Sequence, residues 1–216
     1  MQLPFTHEQF LDVFGAFNRA LWPAALLLWI GTLGAVVWLF RRGAAASRLL
    51  AAVLAVHWAW SGAVYHLVFF RPINPAATLF GLLFLVEAAL LVWWGLARHE
   101  ITFRPSSSPW ACLGGVLIIY SFVYPVLGLL FGLEFPRLPL YGVPCPTTLL
   151  TVGALLLVPR RPARPLAVLP ALWAGVGGSA AFLLDIRADL ALLVAGLALV
   201  FYALTPARRS PERITT

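Results

Sequence analysis

Seven apolar runs divide this 216-residue chain, at 20–40, 49–70, 75–97, 110–131, 146–158, 165–184 and 190–204. A bilayer core of about 30 Å is crossed by about 20 helical residues rising about 1.5 Å each. Five of the runs have that length. The fifth, with thirteen residues, and the seventh, with fifteen, fall short of it, although the seventh can extend into its flanks. Apolar residues make up 62% of the chain and charged residues 11%, where about 25% charge is usual for a soluble domain. No water-facing surface can be assembled from such a composition, which excludes a soluble enzyme, a nucleic-acid binder and a disordered tail. The net charge of +7 does not restore nucleic acid as a partner, because the arginines are scattered between apolar runs instead of forming one patch. The fold class is an all-α polytopic membrane bundle of about seven transmembrane helices. It forms one domain over 1–216 and has the lipid bilayer as its first partner.

Punctuation marks the boundaries. Thr6 and Gln9 form a capping-box pattern, and Phe10, Val13, Phe14, Phe17 and Leu21 recur at helical spacing. This predicts a short interfacial helix at about 6–19 leading into the first span. His7, Glu8 and Asp12 stand where a signal peptide would be basic, so the N-terminus should be retained. Asn74-Pro75, Ser108-Pro109 and Asp189 read as helix caps. Seven spans put Arg19, Arg71, Arg137 and Arg187 on one side. The other side carries Arg41, Arg42, Arg48, Arg98, Arg104, Arg160, Arg161, Arg164, Arg208, Arg209 and Arg213. The positive-inside rule then places the N-terminus outside and the C-terminus in the cytoplasm.

Counted from the cytoplasmic end of each span, His57 lies at a depth of about 12 Å, and Glu87, Tyr120 and Thr148 at about 15 Å. A bare carboxylate there costs at least about 2.5–3.5 kcal/mol, so Glu87 needs a partner, a cavity or a proton. His57 on the adjacent helix is the nearest candidate partner. The pair reads either as a proton or cation relay with Tyr120 as hydrogen-bonding neighbour, or as a buried polar pair fixing helix packing. Ser61 and Tyr65 follow His57 at four-residue intervals as a polar stripe. His66, nine residues after His57, falls on the opposite face with Gly62, Ala59 and Ala55, a packing seam.

The segment 132–148 holds prolines at 136, 139, 144 and 146 and cannot be regular helix. A following helix over 146–158 covers only about 20 Å, which recesses its N-terminus about 10 Å below the outer face. Irregular backbone at that depth must be covered by protein or line an aqueous cavity. The expectation is an outward-facing pocket including Cys145, Thr147 and Thr148. Free amides and the helix dipole would favour anions there and lower the thiol pKa of Cys145, which suits soft-metal or redox chemistry. The competing reading makes 143–146 a rigid turn, with Cys145 a small buried hydrophobe and Thr147 or Thr148 a cap. Cys112 lies near the opposite membrane face, too far for a disulfide.

Gly175 and Ser179 read as a small-xxx-small packing pair. Asp185, Arg187 and Asp189 read as a solvated turn and a helix cap. No nucleophile-base, zinc or phosphate-loop motif is present in the sequence.

The stretches PFTHEQFLDVFGAFNRALWP, HWAWSGAVYHLVFFRPINPAA, YPVLGLLFGLEFPRLPLYGVPCPTT and WAGVGGSAAFLLDIRADLALLVAG together resemble a bacterial multi-pass membrane family classified as a domain of unknown function. The resemblance spans nearly the whole chain and implies a bacterial membrane protein, with no activity, cofactor or site attached. The leading functional expectation is a transporter or channel that passes a small solute, ion or proton through a polar intramembrane pocket. The alternatives are an accessory or assembly subunit of a membrane complex or homo-oligomer, and a membrane enzyme or soft-metal protein using Cys145. No cofactor is named by any residue pattern.

Overall fold

The computed structural model describes residues 3–41 and 43–206, so Arg42, Arg208, Arg209 and Arg213 of the arginine count lie outside the described residues. All regular structure in the described residues is helical. Six helices are long and apolar enough to cross a membrane: α1 (His7–Leu39), α2 (Ala44–Phe70), α3 (Ala77–Ala97), α4 (Pro109–Leu130), α6 (Arg160–Leu183) and a last one over Arg187–Leu204 that contains α7 (Leu190–Leu204). Between α4 and α6 lies α5 (Pro144–Leu155), twelve residues or about 18 Å long. The outward faces of the long helices carry bare apolar side chains, with Leu27 70%, Phe182 72% and Leu197 75% exposed. Such surfaces are stable only against lipid, and the protein is a multi-pass helical membrane bundle.

Side-chain caps explain two helix starts. Thr6 and Gln9 form the reciprocal capping box, and Ser108 Oγ accepts from Ala111 N ahead of Pro109. Asn74 Oδ1 accepts from Ala76 N, but α3 itself begins at Ala77. Two expectations are corrected. The interfacial helix and the first span are one uninterrupted helix, because Pro23 inside α1 does not break it. The sixth span begins at Arg160, with Pro165 inside it instead of at its start.

Helix association in lipid depends on close packing more than on apolar burial, and glycine lets backbones approach. A Cβ on Gly62 would lie 2.8 Å from the carbonyl oxygen of Gly81, so α2 and α3 cross backbone to backbone. Gly114 and Gly153 do the same for α4 and α5, at 2.5 and 2.7 Å. The expected Gly175 and Ser179 seam is not used, since Gly175 faces open space and Ser179 is exposed; their neighbours Gly177 and Gly178 pack against Leu192 and Leu193.

Helix α5 is the axis of the bundle. From Pro146 to Leu155 it is buried without interruption, and α2, α4, α6 and α7 surround it. Its C-terminal end is tied to the arginine-rich end of the bundle, where Arg104 N donates to Leu157 O (2.8 Å) and Tyr202 Oη to Val158 O (2.6 Å). Its N-terminal end meets the opposite end. There the irregular segment 131–143 turns inward, held by Asn18 Nδ2, which donates to the carbonyls of Pro136 (2.7 Å) and Leu138 (2.6 Å). Arg137 reaches Glu8 and Asp12 on α1, and the Asp12 hydrogen bond holds the guanidinium above its already high ordinary pKa. Gly142, at φ +88° and with the Trp60 ring 2.8 Å from where a Cβ would stand, closes the segment.

The two neighbouring glycines of α4 separate packing from propensity. Gly114→Ala should destabilise the protein by about 1–3 kcal/mol by forcing α4 off α5. Gly115→Ala, which meets nothing within 4 Å, should be neutral or stabilise by up to about 1 kcal/mol. Thermal unfolding in detergent reads both, and equal effects would contradict the α4–α5 seam.

Candidate functional site

The polar residues expected at mid-membrane are buried, but they do not form one chain. His57 is 1% exposed and turns towards α1, where its Nε2 lies 2.8 Å from Thr32 Oγ1. The Thr32 hydroxyl also lies 2.7 Å from Leu28 O, and donation of its proton there matches the tautomer in which His57 Nε2 donates to Thr32 Oγ1. Nδ1 has no partner, and the ring meets Tyr141 edge-on at 5.2 Å.

Glu87 is fully buried on α3, and neither of its carboxyl oxygens has a hydrogen-bond partner. The expected His57–Glu87 pair is therefore not made. Gly62 packs against Gly81, so the α2 face turned to α3 is the one bearing His66, while His57 faces α1. His66 packs against Phe80 and Phe84 at 6.1 and 4.6 Å, and Phe84 stands one turn before Glu87 on the same face. His66 Nδ1 lies 2.9 Å from Ser61 O, and Nε2 has no partner. This end of α2 carries i+5 bonding, as in Arg71 N to His66 O (2.9 Å). Such wide turns recur at functional sites.

Tyr120 also leaves the expected group. Its hydroxyl donates to Ala188 O (3.0 Å) in the hairpin before α7. On α5, Thr148 Oγ1 donates back to Pro144 O (2.9 Å) and caps nothing, because the cap position is Val143. Trp58 Nε1 donates to Thr151 Oγ1 (2.8 Å). One turn further along these antiparallel helices come Ser61 and Thr147, both buried with hydroxyls that lack partners.

Beyond this layer a cavity of about 160 Å³ lies over the start of α5, lined by Tyr65, Asn74, Cys145, Trp173 and Asp189 among aromatic and aliphatic side chains. Of the stripe expected after His57, Tyr65 reaches this cavity and Ser61 stays below it. Sequence reasoning missed Asp189. It is 1% exposed, makes no cap bond to α7, and accepts a hydrogen bond from Tyr124. Only its neighbours Asp185 and Arg187 form the expected solvated pair. The signal available was Tyr124, whose buried hydroxyl needs an acceptor.

The anion-binding expectation at the α5 start is corrected as well. Pro144 and Pro146 have no N–H, and Thr147 N already donates to Val143 O. Cys145 adjoins Asp189, Tyr124 and Trp173. An acidic neighbour in an apolar wall is the reverse of the electropositive setting that favours a thiolate. Among the described residues no three His, Cys, Asp or Glu come together as a metal site. Both cysteines are free. A larger groove of about 610 Å³ between α1 and α4 is lined by Trp22, Trp29, Phe122 and Tyr141; it opens sideways towards lipid and has no charged lining residue.

A family model described as "Family of unknown function (DUF6064)" matches residues 7–212. No curated protein matches the chain, and no solved structure does.

The separation of His57 from Glu87 is measurable. In double-mutant cycles of unfolding stability, Thr32→Val with His57→Gln should show coupling above about 0.5 kcal/mol, while His57→Gln with Glu87→Gln should be additive within about 0.5 kcal/mol. Coupling in the second cycle would restore the pair.

Proposed function

The chain belongs to DUF6064, a family of unknown function, and we propose that it transports a small solute across a bacterial cytoplasmic membrane, receiving it from the outer side in the cavity over α5. The observation that carries this reading is the cavity itself. It joins the start of α5, a buried carboxyl group and Tyr65 at one end of a bundle whose α2–α3 and α4–α5 crossings are closed by glycine seams.

The topology that goes with it has seven crossings, an external N-terminus and a cytoplasmic C-terminus. The arginine asymmetry of four to eleven supports it. So does α5, whose two ends are tied to opposite ends of the bundle although the helix is only about 18 Å long. Short or interrupted helices whose ends stop inside the membrane are a recurring way to build transport sites.

Below the cavity, His66 Nε2, Ser61 Oγ, Thr147 Oγ1 and both Glu87 oxygens are buried without partners. Polar atoms left open in this way are costly unless a proton, water or substrate visits them. In this reading the relay runs on the α3-facing side, through His66 and Glu87, and His57 with Thr32 is a packing contact between α1 and α2.

Three measurements test the proposal. Introduced cysteines beside Arg137 should react with an impermeant thiol reagent from outside, and those beside Arg161 only after permeabilisation; reaction from the same side would remove the crossing by α5. In intact spheroplasts Cys145 should be labelled and Cys112 spared. A Cys145 that stays unreactive even at alkaline pH, where its thiolate forms, would mean that the cavity is closed, and the transport reading would fall. Glu87→Gln should leave the protein folded while changing the pH dependence of flux in proteoliposomes, whereas unchanged flux at every pH would exclude a relay through Glu87.

A further inference from the structure

The cavity holds one carboxyl group, that of Asp189, in a wall of aromatic and aliphatic side chains with Asn74, Cys145 and Ser179 as neutral polar groups. Its lining includes Phe14, Tyr65, Phe80 and Trp173, and among the described lining residues no Lys, Arg or His accompanies the Asp189 carboxylate. A volume of about 160 Å³ is close to the roughly 150 Å³ that accommodates a benzene-sized guest. Asp189 is 1% exposed, accepts a hydrogen bond from Tyr124 and has the Cys145 thiol alongside. Tyr65 is 2% exposed and its hydroxyl bonds to no group among the described residues. The nearby start of α5 offers an anion few donors, because two of its first three residues are prolines and Thr147 N already donates to Val143 O, which leaves the single N–H of Cys145. A buried acidic group, electron-rich ring faces and a helix end with few donors all select the same ligand charge.

We propose that this cavity binds a small organic ammonium ion, the size of a trimethylammonium head, with Asp189 as its counter-ion and the Tyr65 and Trp173 rings against its methyl groups. The proposal rests on the cavity being the solute site and names the class of solute. Quaternary ammonium ions suit such a box because they need no hydrogen-bond donors around them and gain from ring faces that a neutral ligand of equal shape uses less well. The same chemistry is presented by a free ammonium solute and by the choline headgroup of a phospholipid.

The test is calorimetric titration of the full-length protein with choline and tetramethylammonium, and with 3,3-dimethyl-1-butanol, the uncharged analogue of choline. In phosphatidylglycerol nanodiscs both cations should bind at least tenfold more tightly than the alcohol. Asp189→Asn keeps an acceptor for Tyr124; it should weaken choline binding at least tenfold and leave the alcohol's affinity unchanged. Trp173→Leu should weaken choline more than the alcohol, and it provides the test if Asp189→Asn does not fold. In phosphatidylcholine nanodiscs, unchanged choline affinity identifies a free solute, and suppressed affinity identifies the lipid headgroup. Equal binding of choline and the alcohol, or no saturable binding of either cation in phosphatidylglycerol, would overturn the proposal. Protection of Cys145 from the impermeant reagent separates the two readings. Protection by the alcohol but not by choline keeps the solute cavity and discards the ammonium ion, whereas a Cys145 that never reacts removes both.

Discussion

The bilayer offers no water to a backbone carbonyl, and the structure is organised around that constraint. Helices satisfy their own amides, so the demanding stretch is the irregular segment 131–143, which turns into the bundle above α5. Its carbonyls are met from α1, where the single amide of Asn18 serves both Pro136 and Leu138. This explains why α1 continues unbroken past the membrane surface. Its N-terminal half supplies Asn18, Glu8 and Asp12 to the segment and packs Phe10, Phe14 and Phe17 against Tyr65 and Phe70. Its C-terminal half faces lipid with Leu27, Ile30 and Val37. One helix therefore covers one end of the bundle and also lines its flank.

With that end covered, α5 can be short. The segment 131–143 lies over its twelve residues, and the start of α5 forms the floor of a cavity instead of a surface cap. The prolines that prevent the segment from becoming helix also remove the donors that would make this floor an anion site. Asp189 then sets the local charge, delivered from the hairpin before α7 and oriented by Tyr124. The cavity, the acidic group and the aromatic wall thus come from five separate stretches of chain that meet only in the folded bundle.

Much of this was legible beforehand. Periodicity and length located the helices, four prolines marked the irregular segment, and the shortness of the fifth run implied a recessed start containing Cys145. The wheel for α2 correctly put His57 and His66 on opposite faces. It could not say which face met α3, because matching depth is a one-dimensional quantity and facing is not. Gly62 held the relevant hint: its close approach to Gly81 turns the His66 face to α3 and leaves His57 for Thr32. Asp189 was hidden for a similar reason, since an acidic residue just before a helix has an ordinary local use as a cap.

The sequence by itself determined what depends on a residue and its near neighbours: apolar runs that require lipid, caps at Thr6 and Ser108, the break imposed by the prolines, and the bias of arginine to one end. Only the tertiary structure decided which polar groups share a space. Glycine seams set the rotation of each helix about its axis, and a rotation of half a turn exchanges a side chain's partners without altering the hydropathy of the run. That rotation puts Tyr65, Cys145, Trp173 and Asp189 around one cavity and leaves Glu87 without the histidine expected beside it.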